Sequence, residues 1–520
     1  MRPRLAFLLL IALAAGAQDQ PVFRAGSRLV QVDVVVRDKS GPLAGLKKED
    51  FTLLDDGKPR PISLFAVTEA GKRTGEAIPL PAGAVSNKWN RAGETPASAT
   101  VVLIDRLNTP VNDQRYANTK IVQFLQSHGA NDRFGIYVLG SSLRVIQELT
   151  DDPERLARAV KGLKPQDARR FSADNIDAGS TGDARTDAML ADSLTRMQDF
   201  ALADRVGATR DALKSIARHL AKVPGRKNLI WVSGSFPLII IRPHEVIDNS
   251  RDVDEAARML NDANVAVYPV DARGLTGVAA GNAEQGPNSG CKPLLGNCDI
   301  PSPQGVGPTG LDSINTFASL TGGRAFYNTN GIEDSIRKAV EDSAVTYTLG
   351  FYPAEETADG KFHKLAVKLD RRGIDIRFRN GYFAAKAGED PAAPLTVTQL
   401  LQDPLDAAAV GLAVLATPDA SRNGRFQIRA VVDLHDLHLE HENGFSRGAV
   451  NVTVFVEGSR SARTINRKIE IPDEQLASAL TQGLVINDDV EADSKAVEAR
   501  IVAQDPATGA AGSVRISLRK

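Results

Sequence analysis

The stretch 98–345 constrains the fold more than any other part of this chain, because unbroken apolar strands alternate in it with helical patterns. Residues 101–104, 134–139, 228–232 and 265–270 read as strands. Strands that are apolar on both faces need cover on both faces, which is the pattern of a mostly parallel sheet between helices. The helical patterns fall between them. Ile121, Val122 and Leu125 share one face of a helix over 113–127, and Leu213, Ile216, Leu220 and Val223 follow at helical spacing. Further helices are predicted at 255–263, 314–320 and 332–345, while 143–149 folds back on 134–139 after Gly140-Ser141-Ser142. The predicted class is α/β, a doubly wound, mostly parallel, Rossmann-type sheet, interrupted by polar loop insertions at 164–189 and 273–310.

Both flanks change period. Val30, Val32, Val34 and Val36 alternate with Leu29, Gln31, Asp33 and Val35, which marks a strand with one buried face. Short strands and turns such as Asp55-Asp56-Gly57 then suggest an N-terminal β-sandwich-like segment over 25–70, followed by a linker at 71–97. A β extension at 346–385 is a candidate to pack with that segment, and 395–520 reads as a C-terminal β-sandwich, both flanks being of Ig-like type. His435, His438 and His441 lie in this last region; on a strand His438 would face away from the other two, which favours a solvated strand or turn over a zinc site.

Arg2 and Arg4 precede an apolar run over 5–15, and Ala15-Gly16-Ala17 offers a signal peptidase its small-x-small pattern. The run is too short to span a bilayer, so a secretory signal cleaved after Ala17 is expected, giving a secreted or periplasmic protein with no transmembrane anchor after its removal. The chain carries 63 Lys plus Arg against 64 Asp plus Glu, a balance that excludes nucleic acid as the main partner. Its two cysteines exclude a disulfide-dense scaffold. In an oxidising compartment Cys291 and Cys298 are expected to form a disulfide within the second insertion.

Catalytic signatures are missing from the sequence. Ser233-Gly234-Ser235 is not a Gly-x-Ser-x-Gly elbow, His244 has no motif around it, and neither a dinucleotide fingerprint nor a phosphate-binding loop is present. The expectation is therefore no enzyme. In an open parallel sheet ligands bind beyond the carboxyl ends of the strands, where strand order reverses, and Asp105, Ser233 and Asp271 occupy such ends.

The motifs that carry a resemblance are Val101-Val102-Leu103-Ile104-Asp105 with Leu107-Asn108-Thr109, the segments 225–234 and 267–273, Leu320-Thr321-Gly322-Gly323, and Arg379-Asn380-Gly381-Tyr382-Phe383. In this order they resemble the von Willebrand factor A domain in its acidobacterial form. The resemblance implies a doubly wound fold, an adhesion or assembly role, and a metal-ion-dependent adhesion site that takes Mg²⁺ or another divalent cation. Its metal positions fall on Asp105, Thr109 and Thr209, the last expected just before a helix. Leu107 replaces the first serine and Ser233 the second aspartate, so the site is degenerate. Asn108, Ser233, Ser235, Asp271 and Arg273 form the predicted binding edge. The functional expectation is an exported protein-binding module of the cell envelope with a protein partner. An envelope hydrolase or carbohydrate-processing factor and a purely structural scaffold are the alternatives.

Overall fold

The computed structural model describes residues 29–518 except 70–80, 82, 88–97, 129–131, 166–180, 222, 224–225, 235–238, 242–245, 249, 274–310, 328–330, 355–358, 385–394, 420, 423, 458–461 and 493–496. The signal segment, Ser235, Cys291 and Cys298 lie outside the described residues.

The central domain is built on a sheet of β1 (Ser98–Asp105), β2 (Arg133–Leu139), β3 (Leu143–Thr150), β4 (Arg226–Ser233) and β5 (Val265–Asp271). Their order across the sheet is β5-β4-β1-β2-β3, all parallel except the antiparallel edge strand β3. Among the described residues the helices around it are α1 (Val111–Ser127), α2 (Pro153–Lys161), α3 (Ala184–Leu220), α4 (Ser250–Asp262), α5 (Leu311–Thr321) and α6 (Ile332–Glu341). Successive residues of β1 explain the unbroken apolar run. Val101 and Leu103 pack with Leu213, Ile216, Leu260 and Phe317 from α3, α4 and α5, whereas Val102 and Ile104 pack with Ile121, Leu156 and Ile336 from α1, α2 and α6. Each face of the strand is therefore committed to its own helical layer. Chain order reverses between β1 and β4, which puts the switch-point crevice at Asp105 and Ser233. Helix α3 starts at Ala184, so the polar stretch expected as a loop over 164–189 ends as helix.

The flanking strands form two further units. Val30–Asp38 pairs antiparallel with Val345–Phe351 and Asp375–Arg377, and Phe51–Asp55 pairs with Phe362–Leu369. Val32, Val34, Phe51, Leu53, Tyr347 and Leu365 share the resulting core. This N-terminal unit docks on the central domain through Asp342, just past α6, whose buried carboxylate accepts from Arg37 at 2.8 Å and Arg377 at 2.5 Å. Arg379 adds a bond to the carbonyl of Gln31 at 2.6 Å and one to that of Asn261 at 3.3 Å. In the C-terminal unit, Leu412–Pro418, Arg425–Val432 and Leu484–Glu491 lie in one sheet, and Phe445–Val456, Glu498–Gln504 and Ala511–Ser517 in another. Val414, Ile428, Val452 and Ile501 lie in their common core. The stretch expected as a linker at 71–97 contributes a short strand here, Val85–Ser86 beside Leu412–Pro418. Asn87 fixes it by donating to the carbonyls of Ala407 and Val410 and accepting from the backbone N–H of Leu412.

Gly323, just past α5, lies hard against β5: a Cβ there would sit 1.9 Å from the carbonyl oxygen of Val267. Backbone does not give way as a flexible side chain can, so Gly323→Ala should cost about 3 kcal/mol or more. Urea denaturation measures this; a loss below about 1 kcal/mol would contradict the close approach.

Candidate functional site

The last residue of β1, Asp105, is 1% exposed. A carboxylate so far from water is tolerated only if donors replace its hydration, and here they converge from one strand and a loop. Oδ1 accepts the backbone N–H of Asn108 at 3.0 Å. Oδ2 accepts the Asn108 amide at 3.0 Å, the Trp231 indole N–H at 3.0 Å and the Ser233 hydroxyl at 2.9 Å. Burial pushes the Asp105 carboxyl above its usual range, and the bonds from Asn108, Ser233 and Trp231 pull the other way.

The other expected ligands are drawn into the same network. Thr209 is fully buried, and its hydroxyl accepts from the Asn108 side chain at 2.9 Å while donating to the carbonyl of Arg205 at 2.8 Å. It lies inside α3 and not before a helix: Gly207 is accommodated within the helix without a break. Thr109 accepts the backbone N–H of Gly234 at 2.9 Å, which ties the loop after β1 to the end of β4. A Cβ on Gly234 would stand 2.9 Å from the carbonyl oxygen of Asn108, so the two loops touch only because that residue is glycine. Gln114 in α1 holds the loop from below, donating to the carbonyl of Thr109 at 2.8 Å.

A divalent cation of the Mg²⁺ class needs oxygen lone pairs aimed at a common point. Around Asp105 the converging groups are instead N–H and O–H donors, and the Thr209 oxygen is engaged on both sides. Asp105 and Thr209 therefore do not fit a cation in this arrangement. Leu107, at the position of the first serine, is buried in the core under the sheet.

At the outer rim, Arg273 grips Asp271 with a fork, Nε to Oδ1 at 3.0 Å and Nη2 to Oδ2 at 2.8 Å. Register places Asp271 directly beside Ser233. Half-buried Asp113 in the first turn of α1 is close enough to respond to both: burial and Asp271 raise its carboxyl, and Arg273 lowers it. The structure thus brings Asp105, Asn108, Thr209 and Ser233 into one bonded cluster, ties Thr109 to the adjacent Gly234, and sets the buried Asp271 and the partly exposed Arg273 apart as a pair. Sequence reasoning missed Trp231, Gln114 and Asp113. A tryptophan in an apolar strand reads as core, and its ring does pack edge-on against Phe317 at 5.6 Å while its N–H reaches Asp105.

The histidines of the C-terminal unit do not converge. His435 lies in a 3₁₀ turn beside Asp433 at 2.8 Å, His438 is 3.6 Å from Glu440, and His441 is 3.1 Å from Asp473. Among the described residues, potential metal ligands gather instead at Asp55, Asp56 and His363 in the N-terminal unit. There His363 already bridges Asp56 at 2.8 Å and Asp359 at 3.0 Å, and Asp55 pairs with Arg60 at 3.1 Å.

No protein-family model matches this sequence, and no curated protein does either. Among solved structures, a protein described as von Willebrand factor type A from Catenulispora acidiphila is 10% identical, covering 95% of this chain and 75% of that one, with a TM-score of 0.24. The chain is similar to von Willebrand A-type proteins. An aerotolerance-related membrane protein from Bacteroides fragilis is 13% identical over 47% of this chain and 98% of its own, at a TM-score of 0.25. Proximal thread matrix protein 1 from the mussel byssus, with a zinc-occupied metal-ion-dependent adhesion motif, is 9% identical at a TM-score of 0.26. This last match covers 48% of the present chain and 46% of the mussel chain. These likenesses are remote, and the sheet order and side-chain bonds described above do not depend on them.

Replacing Asp105 by Ala removes an acceptor shared by three buried side-chain donors, those of Asn108, Trp231 and Ser233, for a loss of about 3 kcal/mol or more. Trp231→Phe keeps the ring packing but removes one donor, and should cost roughly 1–2 kcal/mol. Chemical denaturation of both variants checks the ranking; equal losses would mean that packing and not the carboxylate sets the stability here.

Proposed function

We propose that the chain is an exported protein-binding module of the cell envelope, acting in adhesion or assembly, whose partner docks on the carboxyl edge of the central sheet. The observation that carries this reading is the bonding of Asp105. The acid that would hold a cation is bonded by Asn108, Trp231 and Ser233, so the edge is preformed and its recognition chemistry lies in the partly exposed Asp113 and Arg273, the latter held by the buried Asp271. A rigid, internally bonded edge presents such a rim with little ordering cost on binding. In this reading the site is a degenerate metal-ion-dependent adhesion site that needs no resident cation, and Asn108 and Ser233 serve to hold its shape.

One feature supports export: the amino-terminal sequence has the basic, apolar and small-x-small parts of a secretory signal. No helix among the described residues is long and apolar enough to cross a membrane. The Cys291–Cys298 disulfide belongs to the same proposal, as a staple for the segment that follows Arg273 in sequence.

The test is capture of envelope proteins on immobilised mature protein. Arg273→Glu should lower capture of the specific partner about tenfold or more, because it places like charge beside Asp271, while a chelator should leave capture unchanged. Loss of capture in the chelator, or no effect of Arg273→Glu, would overturn the reading. Amino-terminal sequencing of the exported protein should begin at Gln18; a chain retaining Met1 would contradict the cleavage.

A further inference from the structure

Helix α3 divides into two halves that present different faces. From Val206 onward the buried side chains Val206, Thr209, Leu213, Ile216 and Leu220 follow one side of the helix, and the last three sit in the core of the central domain. Over 184–205 no apolar side chain joins any core among the described residues. The three most exposed large apolar side chains of the described residues are all here: Phe200 at 76%, Met189 at 69% and Met197 at 50%. At about 100° per residue, these three and the half-buried Leu190 and Leu194 lie within about 140° of arc, nearly opposite the face that the second half buries. A single exposed apolar residue is ordinary, whereas a stripe of five marks a surface that takes a partner. A helix of this length also draws most of its stability from covering such a face and little from propensity.

Charge selects the occupant. The span 184–205 carries four aspartates against three arginines, so it has no excess of basic residues to draw it to an anionic membrane surface. The charges flanking the stripe complement the same helix run in reverse. On one edge Asp192 precedes Arg196, the two joined at 2.7 Å, and on the other Asp187 precedes Arg205. A two-fold axis perpendicular to the helix lays each edge against itself in the opposite direction. With that axis near residue 195, Leu190 of one copy stands level with Phe200 of the second. Asp192 and Asp187 then come within two residues, about 3 Å along the helix, of the second copy's Arg196 and Arg205. In a parallel pair Asp192 would meet the opposite edge, where its nearest charge is Asp187. We propose that the chain forms a two-fold homodimer through the first half of α3, two copies pairing antiparallel along the stripe of Met189, Leu190, Leu194, Met197 and Phe200.

The pairing is independent of what binds the sheet edge. The same helix carries Thr209 about 14 Å beyond Phe200, at 1.5 Å per residue, so a dimer holds two sheet edges at a fixed separation. A partner with repeated sites is then engaged by both edges at once, which raises avidity without any new contact.

Sedimentation velocity of the full mature chain, from about 1 to 100 µM, reads the association directly, and a dimer is expected within that range. Met197→Ser combined with Phe200→Ser should weaken it about tenfold or more. Both side chains are exposed, so the monomer keeps its fold. Asp192→Arg and Arg196→Asp, each alone, set like charges along one edge and should weaken the dimer about fivefold. An equal mixture of these two variants should restore it as a mixed dimer, because position 192 of one copy then meets position 196 of the other with opposite charge. A chain that stays monomeric to about 100 µM, or a dimer untouched by the serine variants, would overturn the proposal. A mixture that fails to restore the dimer would overturn the antiparallel arrangement. A monomeric chain that binds phosphatidylcholine vesicles through Met197 and Phe200 would assign the stripe to a lipid surface instead.

Discussion

Everything at the carboxyl edge of the central sheet depends on how one buried negative charge is compensated. Asp105 lies at the switch point between β1 and β4, where desolvation penalises a carboxylate and only dedicated donors keep it there. The chain meets that requirement with Asn108 from the following loop and with Trp231 and Ser233 from β4; Asn108 then reaches Thr209 in α3. One carboxylate thereby ties β1, its loop, β4 and α3 into a single fixed geometry. The lone pairs that accept these donors are the ones a cation would need.

The two flanking units attach to this core by different chemistry. The N-terminal unit sets two arginines on Asp342, and a third, Arg379, on backbone carbonyls. The C-terminal unit inserts Leu405 into the apolar layer under α3, where Arg218 and His219 of that helix meet Asp403 and Asp406, and its own Arg500 and Arg515 hold the segment. The first attachment stays charged across ordinary pH, since arginine does not deprotonate there. The second contains a buried histidine, His219, whose ring meets the carbonyl of Asp406.

The central sheet was legible because burial on both faces writes an uninterrupted apolar run into each strand, and Val101, Val102, Leu103 and Ile104 divide between two helical layers as that run requires. The valine alternation over 30–36 marked its strand for the matching reason, one buried face. The first turns of α3 were not legible, because none of the described side chains over 184–204 is buried. Thr209 was consequently placed before a helix when it lies well inside one. In the site, the acid at the end of β1 and the hydroxyls near it could be read from residue type and position. The role of Trp231 could not, because the indole N–H that completes the charge belongs to a side chain whose ring is core. Val85–Ser86 was hidden for another reason: two residues carry no period, and the strand exists only because Asn87 bonds a distant part of the chain.

The most direct test of the account is titration calorimetry of the mature protein, stripped of metal, with Mg²⁺ and Mn²⁺ at neutral pH. If Asp105 is satisfied by protein donors, neither ion gives a heat that Asp105→Asn removes. Stoichiometric binding at micromolar affinity, lost in Asp105→Asn while that variant stays folded, would show that the donors yield to a cation and would contradict the account.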